Sequence, residues 1–284
     1  MNHYVLINQK FVLEKNAVVS ISQRACRFGD GIFETCKIID GIIYNYEAHE
    51  ARINKGLKAL KISIAIKNLK SDSYHLIKKN HIKNGILRIS ISRGIGSRGY
   101  LPAAKIEPLI IIETSEERKI EDKKIVIGIS KIKAPKRSRA LQYCKTMQGL
   151  NYVLAKIDAQ KSGHFDDVML SESGHISECS SANIFWVKNG KVFTPSAKCD
   201  MLFGTMRGKI LQKFPIEVNL VEARLSRLCN ADEIFLTNAS FLVLAVDELV
   251  VGSRKIKLQK TLSDQILRWL EGDVEKYICN PKLL

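Results

Sequence analysis

Four stretches of this sequence hold side chains able to handle an anion or a proton. Arg93-Gly94-Ile95-Gly96-Ser97-Arg98-Gly99-Tyr100 sets two guanidinium groups and a phenol among glycines. Guanidinium forks match carboxylate geometry in two parallel hydrogen bonds, so such a loop could clamp a carboxylate; a plain solvated loop has the same composition. Phe203-Gly204-Thr205-Met206-Arg207 precedes a helical stretch, which puts backbone N–H groups at a helix N-terminus, where phosphate is favoured. Many helices start this way and bind nothing. Glu178 stands among small residues in Ser177-Glu178-Cys179-Ser180-Ser181-Ala182-Asn183, ahead of an apolar strand. A carboxylate entering a core needs a partner, whether its task is structural or chemical. Lys145 follows Cys144 in a mixed segment and, taken alone, is one lysine among many, exposed by default. Arg27-Phe28-Gly29-Asp30-Gly31 lacks the G-x-G-x-x-G spacing, so it carries no dinucleotide fingerprint.

The elements that must position these groups are legible from periodicity. Tyr4 to Leu13 reads as strand, turn, strand, and Cys36 to Tyr46 as a hairpin about Asp40-Gly41. Ile53, Leu57 and Leu60 recur at helical spacing, predicting a half-buried helix over 47–60, and a second is expected over 66–79. Leu87, Ile89 and Ile91 alternate with polar residues, the pattern of a strand with one wet face, and 109–113 is another strand. Thr114 to Lys124 is charged and without apolar period, so an inter-domain linker is placed at 116–124. Beyond it the sequence predicts a strand over 125–132, a helix over 150–162, and hairpins turning at Glu172-Ser173-Gly174 and Asn189-Gly190. A helix after Gly204, a strand over 233–237 and a last amphipathic helix over 262–277 complete it. Strands and helices without regular βαβ alternation make this an α+β chain of two domains: a smaller N-terminal one over 1–115 and a larger one over 125–284.

Composition bounds the function. With 284 residues, 45% hydrophobic and 26% charged, the chain can bury a core without disulfide or metal staples. No apolar run approaches the ~20 residues that cross a bilayer, and the N-terminus has no signal-peptide pattern, so no membrane association and a cytoplasmic location are expected. Seven scattered cysteines, with no C-x-x-C pair, exclude the usual zinc and redox spacings and fit free thiols in a reducing compartment. No metal cluster and no Ser/His/Asp triad can be read from spacing. The net charge of +16 is spread as lysines interleaved with isoleucine, without a zinc-finger, RNP-type or basic-zipper pattern. A field attracting a small anionic substrate accounts for it more simply than specific nucleic-acid binding.

Taken together and in order, these stretches resemble the pyridoxal-phosphate enzymes of fold type IV, the class-IV aminotransferases and 4-amino-4-deoxychorismate lyase. The matching segments run over nearly the whole chain: 24–35, 47–52, 87–100, Lys145-Thr146-Met147 with Val153-Leu154-Ala155-Lys156, 174–185, Thr194-Pro195, 202–207 and 235–240. The resemblance implies pyridoxal 5'-phosphate as cofactor, Lys145 as the lysine forming the Schiff base and shuttling the substrate proton, and Glu178 facing the pyridine nitrogen. It implies that Arg52, Thr205, Met206 and Asn238 hold the phosphate and that Leu202 packs on the ring. It also implies a homodimer with active sites near the interface, where Arg98 and Tyr100 reach into the partner's site to bind substrate carboxylate. The loop from Ser92 to Tyr100 and Asn238-Ala239 look more like the lyase, which forms 4-aminobenzoate and pyruvate for folate biosynthesis. The spacing of Lys145 to Lys156 is equally similar to D-amino-acid aminotransferases. A branched-chain or D-amino-acid aminotransferase, passing an amino group to 2-oxoglutarate, is therefore the alternative.

Overall fold

The computed structural model describes residues 3–64, 66–96, 98–117, 120 and 124–279. The expected linker at 116–124 falls partly on 118, 119 and 121–123, Ser97 interrupts the arginine loop, and 280–284 end the chain; all lie outside the described residues. Two compact units divide the chain: Met1–Lys119 with Tyr143–Gln148 and Glu275–Leu284, and Ile120–Gln142 with Gly149–Val274.

In the first unit six strands form one antiparallel sheet, in the order Lys10–Leu13, Tyr4–Ile7, Leu109–Glu116, Gly85–Ser92, Gly31–Ile39, Ile42–Ile43. Alternation sets its faces: Leu87, Ile89 and Ile91 are buried while Arg88 is exposed, because successive side chains point to opposite sides. Leu6, Cys36, Ile38 and Ile112 join them in a core with Ile53 and Leu57 of the helix Tyr46–Ala59 and Leu76 of the helix Leu69–Lys79. The latter helix starts three residues later than its periodicity suggests. The strand expected to end at 113 runs on to Glu116, into the charged stretch, because its partner strand continues to Gly85.

The second unit holds two five-stranded sheets. One has the order Val218–Val221, Lys191–Pro195, Asn183–Lys188, Glu233–Asn238, Leu242–Ala245; the other runs Arg254–Lys257, Glu248–Val251, Val126–Ile129, Asp166–Leu170, Ile176–Cys179. Parallel and antiparallel pairs mix, as an α+β fold permits. Ile127, Val168, Ile176, Ile184, Trp186, Ile234, Leu236 and Leu249 form the core. Helices Leu150–Lys161 and Thr205–Lys213 lie in this unit, and the helix Thr261–Ile278 begins in it. No helix among the described residues is long and apolar enough to cross a membrane.

Candidate active site

In the first unit, Lys145 is carried by a short segment that extends the sheet beside the strand Gly31–Ile39. Phe33 N–H donates to Lys145 O at 2.8 Å, Met147 N–H to Gly31 O at 3.0 Å, and Ile32 bridges Thr146. Gly31 is needed for this approach, since a Cβ there would stand 2.6 Å from Ile91 O and 2.9 Å from Met147 Sδ. The half-buried Lys145 places Nζ 4.5 Å from the Phe33 ring centroid, and the Arg88 guanidinium is 4.1 Å from the same centroid.

The next residue, Glu34, points to the opposite, helix-covered face. There it meets His49 and Arg52, three positions apart on one side of the helix Tyr46–Ala59. Arg52 donates from Nε to Oε1 at 2.6 Å and from Nη2 to Oε2 at 2.7 Å, while His49 Nδ1 lies 2.7 Å from Oε2. Burial alone would raise the Glu34 carboxyl; the Arg52 charge and the His49 hydrogen bond outweigh it and hold the pKa at about 2.

The arginine loop is latched within the same unit. Arg24 Nη1 and Nη2 donate to the carbonyls of Gly99 and Tyr100 at 3.1 and 2.7 Å, and its Nε to Asp30 Oδ2 at 2.7 Å. Asp30 also takes two bonds from Arg93. Tyr100 stays exposed, with its ring 5.4 Å from that of Phe28, and Arg98 is exposed.

In the second unit, Glu178 is the third residue of the strand Ile176–Cys179, with 4% of its surface exposed. Tyr152 O–H donates to Oε1 at 2.9 Å; Leu202 N–H and Asn183 Nδ2 donate to Oε2 at 3.0 and 3.3 Å. The turn after Glu178 is pinned by fully buried Asp166, which accepts from the backbone N–H and hydroxyl of both Ser180 and Ser181. Asn183 Nδ2 also donates to Leu202 O, and its Oδ1 lies where a Cβ on Gly204 would be, so glycine is required there.

Gly204 begins the helix Thr205–Lys213 without a side-chain cap, leaving a positive helix end at Thr205 and Met206. Arg207, 5% exposed, adds a buried cation to that end. Its Nη2 donates to Pro195 O, and among the described residues its Nε has no hydrogen-bond partner. Burial pushes its pKa down to about 10 although Glu178 and Cys199 oppose the fall. An uncapped helix start beside a buried guanidinium is suited to an anion, and the nearby carboxylate to a ring nitrogen.

Of the expected site residues, the second unit joins Glu178 to Leu202 by a hydrogen bond, and the turn from Leu202 to Gly204 leads into the helix start at Thr205 and Met206. Asn238 shapes the turn that follows its strand: its Oδ1 accepts from Ser240 and Phe241 N–H, and its Nδ2 donates to Ser181 O. Arg52 is committed to Glu34 through two donors. Sequence reasoning gave no role to Glu34, Tyr152, Asn183 or Arg207. Asn183 and Arg207 stand inside the stretches 177–183 and 203–207, and Arg207 carries a signal of its own, as a cation in a helix's first turn, where the dipole disfavours it.

Known proteins place this geometry in a family. A family model described as amino-transferase class IV matches residues 31–249. A putative branched-chain-amino-acid aminotransferase of Methanocaldococcus jannaschii is 28% identical, covering 93% of this chain and 97% of that protein. A D-alanine aminotransferase of Bacillus licheniformis is 28% identical over 88% of this chain and 90% of its own length. An aminodeoxychorismate lyase of Vibrio harveyi is 28% identical over 84% and 90%. Among solved structures, the fold matches a branched-chain amino acid aminotransferase of Escherichia coli with TM-score 0.87 at 20% identity, covering 96% of this chain and 94% of that one. It matches the 4-amino-4-deoxychorismate lyase of Pseudomonas aeruginosa with TM-score 0.83 at 22% identity, covering 95% and 98%. Through the stretch from Gly31 to Leu249, which holds Lys145, Glu178 and the 204–207 helix start, this chain belongs to the class-IV aminotransferase family of pyridoxal-phosphate-dependent aminotransferases and lyases.

Proposed function

We propose that this protein is a pyridoxal-phosphate-dependent 4-amino-4-deoxychorismate lyase, forming 4-aminobenzoate and pyruvate. The cofactor itself is supported by residues that fit it: the uncapped helix start with buried Arg207, the anchored Glu178 carboxylate, and a half-buried lysine amine. Lys145 would hold the cofactor's aldehyde carbon covalently; Glu178 would hold a proton at the ring nitrogen. Thr205 and Met206 N–H groups and Asn238, with Arg52 oriented by Glu34, would bind the phosphate, and Leu202 would lie against the ring. Bound there, pyridoxal phosphate supplies an electron sink for the charge left when a substrate proton departs.

Lys145 would take that proton from the substrate carbon bearing the amine. The C–O bond to the enolpyruvyl side chain would then break, the ring would become aromatic, and the departing enolate would take up a proton to give pyruvate. Arg98 and Tyr100 would hold the substrate carboxylate in the partner's site of a homodimer. Support for a second copy comes from apolar surface in each unit: Val18, Ile21, Tyr100 and Leu101 are each more than four-fifths exposed, and Leu150, Val153, Leu154 and Ile157 line one exposed side of a helix.

The observation that carries the lyase reading is the 238–241 turn. Asn238 Oδ1 shapes it, and Ala239 has no hydroxyl to offer a phosphate, where several transaminases present one. The second reading, a branched-chain or D-amino-acid aminotransferase using 2-oxoglutarate, is favoured by relatives of those names at the same 28% identity. Purified protein loaded with pyridoxal phosphate should convert enzymatically made aminodeoxychorismate to equimolar pyruvate and 4-aminobenzoate. Keto-acid production from L- or D-amino acids with 2-oxoglutarate, and none from aminodeoxychorismate, would replace the lyase with the transaminase.

A further inference from the structure

Glu178 Oε1 receives its hydrogen bond from a phenol that is itself in the grip of a cation. Arg137 Nη2 donates to the Tyr152 hydroxyl oxygen at 2.7 Å, and Tyr152 O–H lies 2.9 Å from Glu178 Oε1. The direction of both bonds follows from chemistry: a guanidinium has donors only, so the tyrosine oxygen accepts from Arg137 and its single proton is left for Glu178. Arg137 is held in turn, its backbone N–H on Asp200 Oδ1 at 3.1 Å and its Nη1 on Leu141 O at 3.3 Å, with the guanidinium 5.8 Å from the Tyr152 ring centroid.

We propose that Arg137 and Tyr152 form a donor chain that keeps Glu178 an anion and so keeps the proton on the ring nitrogen that Glu178 faces. Both are positioning residues, and the inference rests on the cofactor reading above. A carboxylate and an aromatic nitrogen share one proton; each bond donated to the carboxylate favours its charged form and leaves the proton with the nitrogen. Bonds in a chain polarise one another in a dry interior, so the cation of Arg137 acts through Tyr152 on the more distant oxygen.

The other groups that donate to Glu178, and the cation near it, act in the same direction. Leu202 N–H and Asn183 Nδ2 donate to Oε2, and buried Arg207, on the helix Thr205–Lys213, contributes positive charge. Asp166 and Asp167 lie toward the neighbouring Cys179; Asp166 takes four bonds from Ser180 and Ser181, and Asp167 accepts from Gly128 N–H and pairs with His164. Burial and the Glu178 charge raise the Tyr152 phenol far above its ordinary value, so it remains a neutral donor at working pH.

The test is the pH midpoint of the visible band of the Lys145-bound cofactor, measured in wild-type holoprotein and in Tyr152→Phe, Arg137→Met and Glu178→Gln. A protonated ring nitrogen lowers the proton affinity of the lysine nitrogen, so loss of the ring proton raises the midpoint. Removing one hydrogen bond to a charged acceptor predicts an upward shift of about one pH unit in Tyr152→Phe. Arg137→Met should shift the midpoint upward by less. Tyr152→Phe added to Glu178→Gln should shift it no further.

An unmoved midpoint in both single variants overturns the chain, and so does a Tyr152→Phe shift that persists on the Glu178→Gln background. Should Tyr152→Phe not fold, Arg137→Met decides alone. A wild-type protein that forms no band with pyridoxal phosphate removes the cofactor reading and this inference with it. A normal band with unmoved midpoints removes only the inference.

Discussion

Arg52 and Glu34 are joined by two charge-assisted hydrogen bonds of 2.6 and 2.7 Å, from a helix to the strand beneath it, with both side chains buried. Removing one partner leaves the other charge uncompensated in the interior, which costs more than the pair contributes. Glu34→Gln should therefore destabilise the protein by about 3 kcal/mol, read from chemical denaturation. The folded value of the carboxyl, about 2, lies below the ordinary 4.5. Its stabilisation is complete above 4.5 and drains away as pH falls toward 2. The variant should lose that acid-dependent limb, and an unchanged acid profile would contradict the assignment.

Glu178 has its oxygens anchored by Tyr152, Leu202 and Asn183, so its removal should disturb chemistry more than binding. Glu178→Ala is expected to retain cofactor and to lose at least about two orders of magnitude in turnover. Near-normal turnover would end its role at the ring nitrogen.

Gly204 has no room for a methyl group because Asn183 Oδ1 occupies the position. Gly204→Ala should cost about 1–3 kcal/mol, the usual price of overpacking, and should weaken cofactor binding by displacing the helix start. Thermal unfolding and fluorescence titration with pyridoxal phosphate measure the two effects. Wild-type values for both would mean that Asn183 moves aside freely.

Arg98 is exposed on a loop whose carbonyls at 99 and 100 are held by Arg24. If it binds substrate carboxylate, Arg98→Ala should raise KM roughly 30-fold, the equivalent of one lost charge-assisted bond, and leave cofactor affinity unchanged. Loss of cofactor instead of substrate would show that the loop serves a different end.

The sequence reveals elements where local chemistry dominates. The hairpin turns at Asp40-Gly41 and Asn189-Gly190 and the helices over 46–59, 150–161 and 261–278 are legible because turn residues and the 3.6 period act within a few positions. The start of the strand Gly31–Ile39 is hidden, since its glycine reads as loop until the Lys145 segment is seen packed against it. Short strands such as Leu242–Ala245 and Arg254–Lys257 carry too few residues for a period to emerge. The supporting residues are invisible for another reason. Glu34 and Arg52 are 18 positions apart and Tyr152 and Glu178 are 26 apart, so each pairing exists only once strand and helix are packed. Lys145 and Glu178 themselves are singled out only through a resemblance in the order of motifs along the chain, which no single motif carries.

The central claim is that Lys145 bears the cofactor, and borohydride reduction of the pyridoxal-phosphate-loaded protein followed by peptide mass mapping tests it most directly. The account predicts one stable phosphopyridoxyl adduct, on the peptide containing Lys145, and none in Lys145→Ala protein that keeps its fold. An adduct on another lysine, or an undiminished adduct in Lys145→Ala, would contradict it.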